Sequence, residues 1–160
     1  GLNVTWYSSA AEAQQALLTG QQQVALLAQP VAQATIAKAK ENGKEFSVLQ
    51  DLQALWQEKT GSEDAGYPQA SLFVKADEQE KVSRVLEGIE TFIADADEDT
   101  LTSAIDKASA DTLGLPNTQI AVKTWKQQNI RYVKGKDSKE DIENFLKVFK
   151  MELPKGLIAE

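Results

Sequence analysis

Four residues near the start of the chain could bind a small polar or anionic molecule. Ser8 and Ser9 precede one predicted helix, and Gln29 and Pro30 precede the next. A helix N-terminus exposes main-chain N–H groups and carries about half a unit of positive charge, which favours a carboxylate, sulfonate or phosphate. The hydroxyl groups and the Gln29 amide would add directional hydrogen bonds. The same serines are also typical of plain helix caps, and Pro30 of a helix start.

Two further candidates follow a polar loop in the middle of the chain. Tyr67 could stack its ring on a ligand or hydrogen-bond through its hydroxyl, and it could equally pack beside Pro68. Gln69, two residues further on, supplies a polar side chain on the same segment. We therefore expect six ligand-binding residues in all: Ser8, Ser9, Gln29, Pro30, Tyr67 and Gln69.

The residue types exclude several kinds of catalytic chemistry. The 160 residues include neither cysteine nor histidine, which removes a thiol nucleophile, an imidazole base and a zinc site with nitrogen or sulfur ligands. The acidic stretch from Asp95 to Asp99 lacks the glycine and the terminal glutamate of a calcium-binding loop, and it is typical of a solvated junction between helices. We predict no catalytic residue, no metal site and no cofactor.

Charge and composition limit the partners. There are 24 acidic against 17 basic residues, and the net charge of -7 opposes nonspecific binding to nucleic acid or to an anionic membrane. No apolar run approaches the ~18 residues of a membrane span. The composition fits one globular domain, or pieces of two. The chain begins with Gly-Leu-Asn-Val, as if within a strand, and we expect further residues upstream.

Helices and strands must position the candidate residues. A capping-box spacing of Ser9 and Glu12 begins a helix that ends at Gly20, and Ser138 with Asp141 has the same spacing before the last helix. The apolar run 24–28 is typical of a strand covered on both faces. Further helices are predicted at 30–40, after Asp51, beyond Asp77, at 101–108 and after Asn117, and further strands at 4–7, 45–49, 69–75 and 130–133.

This alternation predicts an α/β fold, with a short, mostly parallel sheet flanked by helices and a helix-rich C-terminal half. The main candidate boundary is the polar loop 60–66. The three tryptophans Trp6, Trp56 and Trp125 lie on apolar faces, and we expect them in the core.

The order of these segments resembles the C-terminal half of a solute-binding protein of ABC transporters, of the nitrate, sulfonate and taurine type. Such proteins belong to the type 2 periplasmic-binding class, a three-layer fold with two lobes and a hinge. The resemblance spans nearly the whole chain. It is carried by the glycine, polar residues and apolar strand at 20–27, by Gln29-Pro30-Val31-Ala32, by the segment Tyr67–Lys75, and by Leu113-Gly114-Leu115-Pro116.

The resemblance implies a division of the chain and a function. Residues 1–64 would be part of the second lobe, and residues 65–160 the return to the first lobe, most of whose sheet an N-terminal portion supplies. Such a protein captures a small solute without catalysis and delivers it to a membrane permease. It lies outside the cytoplasm of a bacterium, in the periplasm or as a lipoprotein, with its signal segment outside this chain. The family's acidic or aromatic residue before the proline is Gln29 here.

Two other functions remain open at this point. Relatives of this family include an enzyme that makes a pyrimidine precursor of a vitamin, although the lack of histidine and cysteine opposes catalysis here. The chain could also be a sensor or interaction domain without a small ligand.

Overall fold

The computed structural model describes residues 3–63 and 66–158. Helices make up 53% of the structure. The chain divides into two compact units, of which unit 1 is Gly1–Ser47 with Ala96–Ile130 and unit 2 is Val48–Asp95 with Arg131–Glu160. The α-helices of the described part are α1 (Ala10–Thr19), α2 (Val31–Glu41), α3 (Leu52–Thr60), α4 (Gln79–Asp95), α5 (Glu98–Ala108), α6 (Thr118–Lys123), α7 (Trp125–Gln128) and α8 (Lys139–Val148), and a 3-10 turn (Ala76–Glu78) precedes α4.

Small residues allow α1 and α2 to pack closely in unit 1. Ala16, Ala34, Thr35 and Ala39 are buried between or beside these helices, and each is at most 8% exposed. The Gln14 side-chain amide donates a 2.8 Å hydrogen bond to the Thr35 hydroxyl, which in turn donates 2.7 Å to the carbonyl of Val31. The helix pair is therefore held by one polar bridge as well as by alanine packing.

The second part of unit 1 is formed by α5, α6 and α7. Leu101 and Ile105 of α5 are buried, as is Ala121 of α6. The buried Thr124 lies between α6 and α7, where its hydroxyl donates to the carbonyl of Ile120 and accepts from the Gln128 amide at 3.1 Å. These contacts satisfy the polar groups at the junction of the two short helices.

Unit 2 is held by a cluster of aromatic rings. Trp56 of α3 and Phe145 of α8 lie 5.5 Å apart between ring centroids, and Tyr67 contacts both of them. Phe149 extends the cluster from the end of α8. The long helix α4 is joined to Lys134 by a salt bridge from Glu90 at 3.4 Å. This pair is exposed, so it contributes little to stability.

The predicted helices are largely confirmed, and so are most of their caps. The Ser9 hydroxyl accepts from the main-chain N–H of Glu12, and Asp51 and Asn117 cap α3 and α6 in the same way. Gly20 ends α1 with φ of 81°, a left-handed conformation that a side chain disfavours. The capping box predicted at Ser138 is wrong, because this hydroxyl donates to the carbonyl of Gly135 instead of capping α8.

The predicted α/β fold is wrong for the described residues, which include no β-strand. The segments 4–7, 24–28, 45–49, 69–75 and 130–133 run outside helices and turns, as expected, but their main chains form no ladder with one another. A strand needs a partner for its N–H and C=O groups, and side-chain alternation does not supply that partner. The boundary predicted between 64 and 65 lies outside the described residues.

The tryptophans depart from the expected core positions. Trp6 is 87% exposed, so its predicted burial is wrong. Trp56 and Trp125 are half-buried. Among the described helices, none combines the length and the apolar character of a membrane span.

Overpacking tests the contact between α1 and α2. We expect Ala16→Leu to lower the free energy of unfolding by about 1 to 3 kcal/mol, because the added atoms do not fit beside the facing helix. Ala11→Leu is the matched control on the exposed face of the same helix, and it should change stability by less than about 0.5 kcal/mol. Urea denaturation followed by circular dichroism measures both. Equal effects of the two substitutions would contradict this packing.

Candidate ligand-binding residues

The N-terminus of α1 already binds a carboxylate from its own chain. The Glu12 carboxylate accepts from the Ser8 main-chain N–H at 3.0 Å and from the Ser8 hydroxyl at 2.7 Å. The Ser9 hydroxyl accepts from the main-chain N–H of Glu12 at 3.2 Å. The donors of Ser8 and the main-chain N–H of Glu12 therefore have an internal partner.

These contacts fix the charge at this end of α1. The Ser8 hydroxyl, followed by the Ser8 main-chain N–H, lowers the pKa of the exposed Glu12 carboxyl below its ordinary value of 4.5. Glu12 is therefore ionised at neutral pH. A second anion placed at this helix terminus would meet a negative charge, which opposes the attraction of the helix dipole.

The start of α2 is also occupied by local hydrogen bonds. The Gln29 side-chain oxygen accepts from the main-chain N–H of Gln33 at 3.2 Å. The carbonyls of Ala28 and Pro30 accept from Ala32 and Ala34 at 3.0 and 3.1 Å. Pro30 is buried and follows a cis peptide bond. The amide nitrogen of Gln29 remains as a hydrogen-bond donor for a ligand.

A further polar contact joins the residues before α1 to those after it. The Gln22 amide donates a 3.1 Å hydrogen bond to the Tyr7 hydroxyl. Sequence reasoning missed this pair, which lies 15 residues apart, because neither residue belongs to a helix or to a recognisable motif. Their position beside Ser8 makes Tyr7 and Gln22 additional polar candidates in unit 1.

The remaining candidates lie in unit 2. The Tyr67 ring is stacked on Phe145, with 5.4 Å between centroids and 10° between planes, and is tilted against Trp56. Gln69 is exposed on the non-helical segment that follows. The structure thus brings Ser8 and Ser9 together at α1 and gives Tyr67 a packing role, while the ligand roles of all six residues stay predictions. In the described residues, no group of acidic side chains could hold a metal ion, and Asp97 instead caps α5.

Comparison with known proteins adds no relative to this description. The chain matches no protein-family model, no curated protein and no solved structure.

The titration of Glu12 tests the contacts at α1. A pKa lowered by folding means that the ionised Glu12 stabilises the folded chain above pH 4.5 and loses that effect as the pH falls through the folded pKa. We expect Ser8→Ala to raise the pKa of Glu12, because one donor to the carboxylate is removed. Ser9→Ala is the control, since this hydroxyl contacts the main chain and not the carboxylate. Carbon-detected NMR titration follows the residue directly, and an unchanged pKa in Ser8→Ala would contradict the assignment.

Substitutions at Tyr67 separate its ring from its hydroxyl. We expect Tyr67→Ala to cost about 2 kcal/mol of unfolding free energy, less than the roughly 3 to 5 kcal/mol for a fully buried ring, because Tyr67 is half-buried. Tyr67→Phe keeps both ring contacts and should leave stability within about 0.5 kcal/mol. Urea denaturation monitored by tryptophan fluorescence reports on the cluster through Trp56. A large loss of stability in Tyr67→Phe would contradict this prediction, because it would assign the stabilisation to the hydroxyl and not to the ring contacts.

Proposed function

We propose that the chain is part of a solute-binding component of an ABC transporter, one that captures a small polar solute without catalysis. The order of motifs from Gly20 to Pro116 supports this proposal through its resemblance to the nitrate, sulfonate and taurine type. The observation that carries it is this order of motifs, and the division into 1–64 and 65–160 that the resemblance implies stays a prediction. The described residues lack the sheet that the resemblance implies.

The charges of residues 1–37, which contain four of the six candidate residues, favour an uncharged solute over an anionic one. Residues 1–37 contain no lysine and no arginine, and Glu12 is their one ionisable acidic residue. The two donors of Ser8, just before α1, are bound to that carboxylate. Anion recognition usually draws on a full positive charge or on open main-chain donors. Ser9, Gln22 and Gln29 instead offer neutral donors and acceptors, which suit hydroxyl, carbonyl and amide groups.

Ligand-induced stabilisation of the complete protein tests this function. A solute present at about 100 times its dissociation constant should add roughly 2.7 kcal/mol to the free energy of unfolding. We expect such a saturable shift with uncharged polar compounds, including pyrimidine vitamin precursors, and none with nitrate or sulfonates. Differential scanning fluorimetry across these classes and amino acids measures it. A screen in which no compound stabilises the protein would contradict the proposal, and a shift with sulfonates alone would contradict the choice of an uncharged solute.

A substitution links the binding to the proposed residues. Gln29→Ala removes the amide donor and should weaken binding of the solute found in the screen by about 2- to 10-fold, the effect of one uncharged hydrogen bond. Gln15→Ala, on the exposed face of α1, is the matched control and should leave the dissociation constant unchanged. Isothermal titration calorimetry on both variants measures the difference.

A further inference from the structure

One asparagine of the chain has the neighbour that most favours a spontaneous covalent change. The chain contains five asparagines, and Asn42 alone is followed by a glycine, Gly43. A glycine has no Cβ atom to obstruct the approach of its main-chain nitrogen to the preceding side chain. Both residues are exposed to water. Asparagine is a chemically labile residue, and this pair combines the least steric hindrance with access to solvent.

The same two residues form the turn that ends α2. The Asn42 side-chain amide donates a 2.8 Å hydrogen bond to the carbonyl of Lys38. The main-chain N–H of Gly43 donates a 3.0 Å hydrogen bond to the carbonyl of Lys40. Gly43 has a φ of 69°, the left-handed conformation that commonly follows a helix. The side-chain amide and the following main-chain nitrogen are therefore both hydrogen-bonded in the folded turn.

The turn is also tied to α1. The main-chain N–H of Lys44 donates a 2.8 Å hydrogen bond to the carbonyl of the buried Ala39. The Lys44 ammonium donates to the carbonyl of Leu18, near the end of α1. These two contacts hold the residue after Gly43 against both helices of the pair, so they oppose opening of the turn.

We propose that Asn42 is a site of spontaneous deamidation and that the folded turn slows this reaction. The main-chain nitrogen of Gly43 attacks the side-chain carbonyl carbon of Asn42. The bond from that carbon to the amide nitrogen breaks, and ammonia leaves with the proton that Gly43 has lost. Water then opens the resulting succinimide ring at either carbonyl, which gives aspartate or isoaspartate. The net change consumes water and converts the amide to a carboxylate and ammonium, and it does not depend on the proposed transport function.

The ring cannot close within the capped turn. The ψ angle of Asn42 is 14°, which places its Cβ atom and the nitrogen of Gly43 on opposite sides of the bond between Cα and C. A five-membered ring needs both on the same side, so this bond must rotate. The rotation carries the N–H of Gly43 away from the carbonyl of Lys40. The reaction therefore proceeds through an opened turn, and exposed helix ends open at a low cost in free energy.

The product cannot restore the cap. A carboxylate lacks the N–H that Asn42 donates to the carbonyl of Lys38. It also places a negative charge beside the negative end of the helix dipole. Isoaspartate lengthens the main chain within the turn, which displaces Gly43 from Lys40. The change thus acts in one direction, because the turn that slows the reaction is lost with it.

Peptide mapping by mass spectrometry follows the reaction in the complete protein, incubated in mildly alkaline buffer. We expect Asn42 to be modified at least about tenfold faster than Asn117 or Asn144, whose following residues carry a Cβ atom. Unfolding in urea should accelerate modification of Asn42 by about 3- to 30-fold, because the turn no longer has to open. An Asn42 that stays intact in the folded protein while the unfolded protein reacts would overturn the inference, as would equal rates in the two.

A pair of substitutions tests the tie to α1. Lys44→Met removes the ammonium that contacts the carbonyl of Leu18. We expect it to raise the rate of modification of Asn42 by about 2- to 10-fold, the effect of one hydrogen bond on opening of the turn. Lys40→Met is the matched control, because it makes the same change of charge at an exposed side chain two residues before Asn42, and it should leave the rate unchanged. Equal rates in the two variants would overturn the role assigned to the turn.

Discussion

Capping by neighbouring side chains is the interaction on which the start of four helices, α1, α3, α5 and α6, depends. Isolated helices of 10 residues are marginal in water, and they usually persist because an apolar face is buried. Here α3, α4 and α8 contain no fully buried residue, and α3 and α8 pack through the half-buried rings of Trp56 and Phe145. Asp51 caps α3 through two main-chain N–H groups, and Asp97 with Thr100 forms a reciprocal capping box at α5. Local hydrogen bonds thus specify where these helices begin.

Because capping is local, the sequence predicts it well. The signals lie within four residues of the helix end that they specify, as at Ser9, Asp51 and Asn117. The exception is Ser138, where the spacing is right but the hydroxyl bonds backward to Gly135. The strand predictions were wrong because the pairing of a strand, unlike a cap, is not a local interaction. An apolar run such as 24–28 indicates that its side chains need covering, but whether the main chain is paired depends on residues far away or on another polypeptide.

The contacts of the candidate residues also divide into local hydrogen bonds, which the sequence indicates, and long-range contacts, which it does not. Ser8, Ser9 and Gln29 were recognised from their positions before helices, and their local hydrogen bonds follow from those positions. The sequence could not indicate that Glu12 would occupy the donors of α1, since a carboxylate at that position serves a cap as readily as it excludes a ligand. Nor could it pair Tyr67 with Phe145, which lies 78 residues later in α8.

Occupied helix termini change the chemistry expected of a ligand site. A capped N-terminus is stable because its N–H groups are bonded, and the same bonds make it a poor site for an anion, which would have to displace Glu12 from Ser8. An anion at this end of α1 therefore competes with Glu12 for the donors of Ser8. A solute that forms hydrogen bonds through neutral groups avoids this competition, because Gln22 and Gln29 can each offer an amide group without uncapping a helix. The Glu12 carboxylate thus disfavours an anionic ligand at the start of the helix that would position the site.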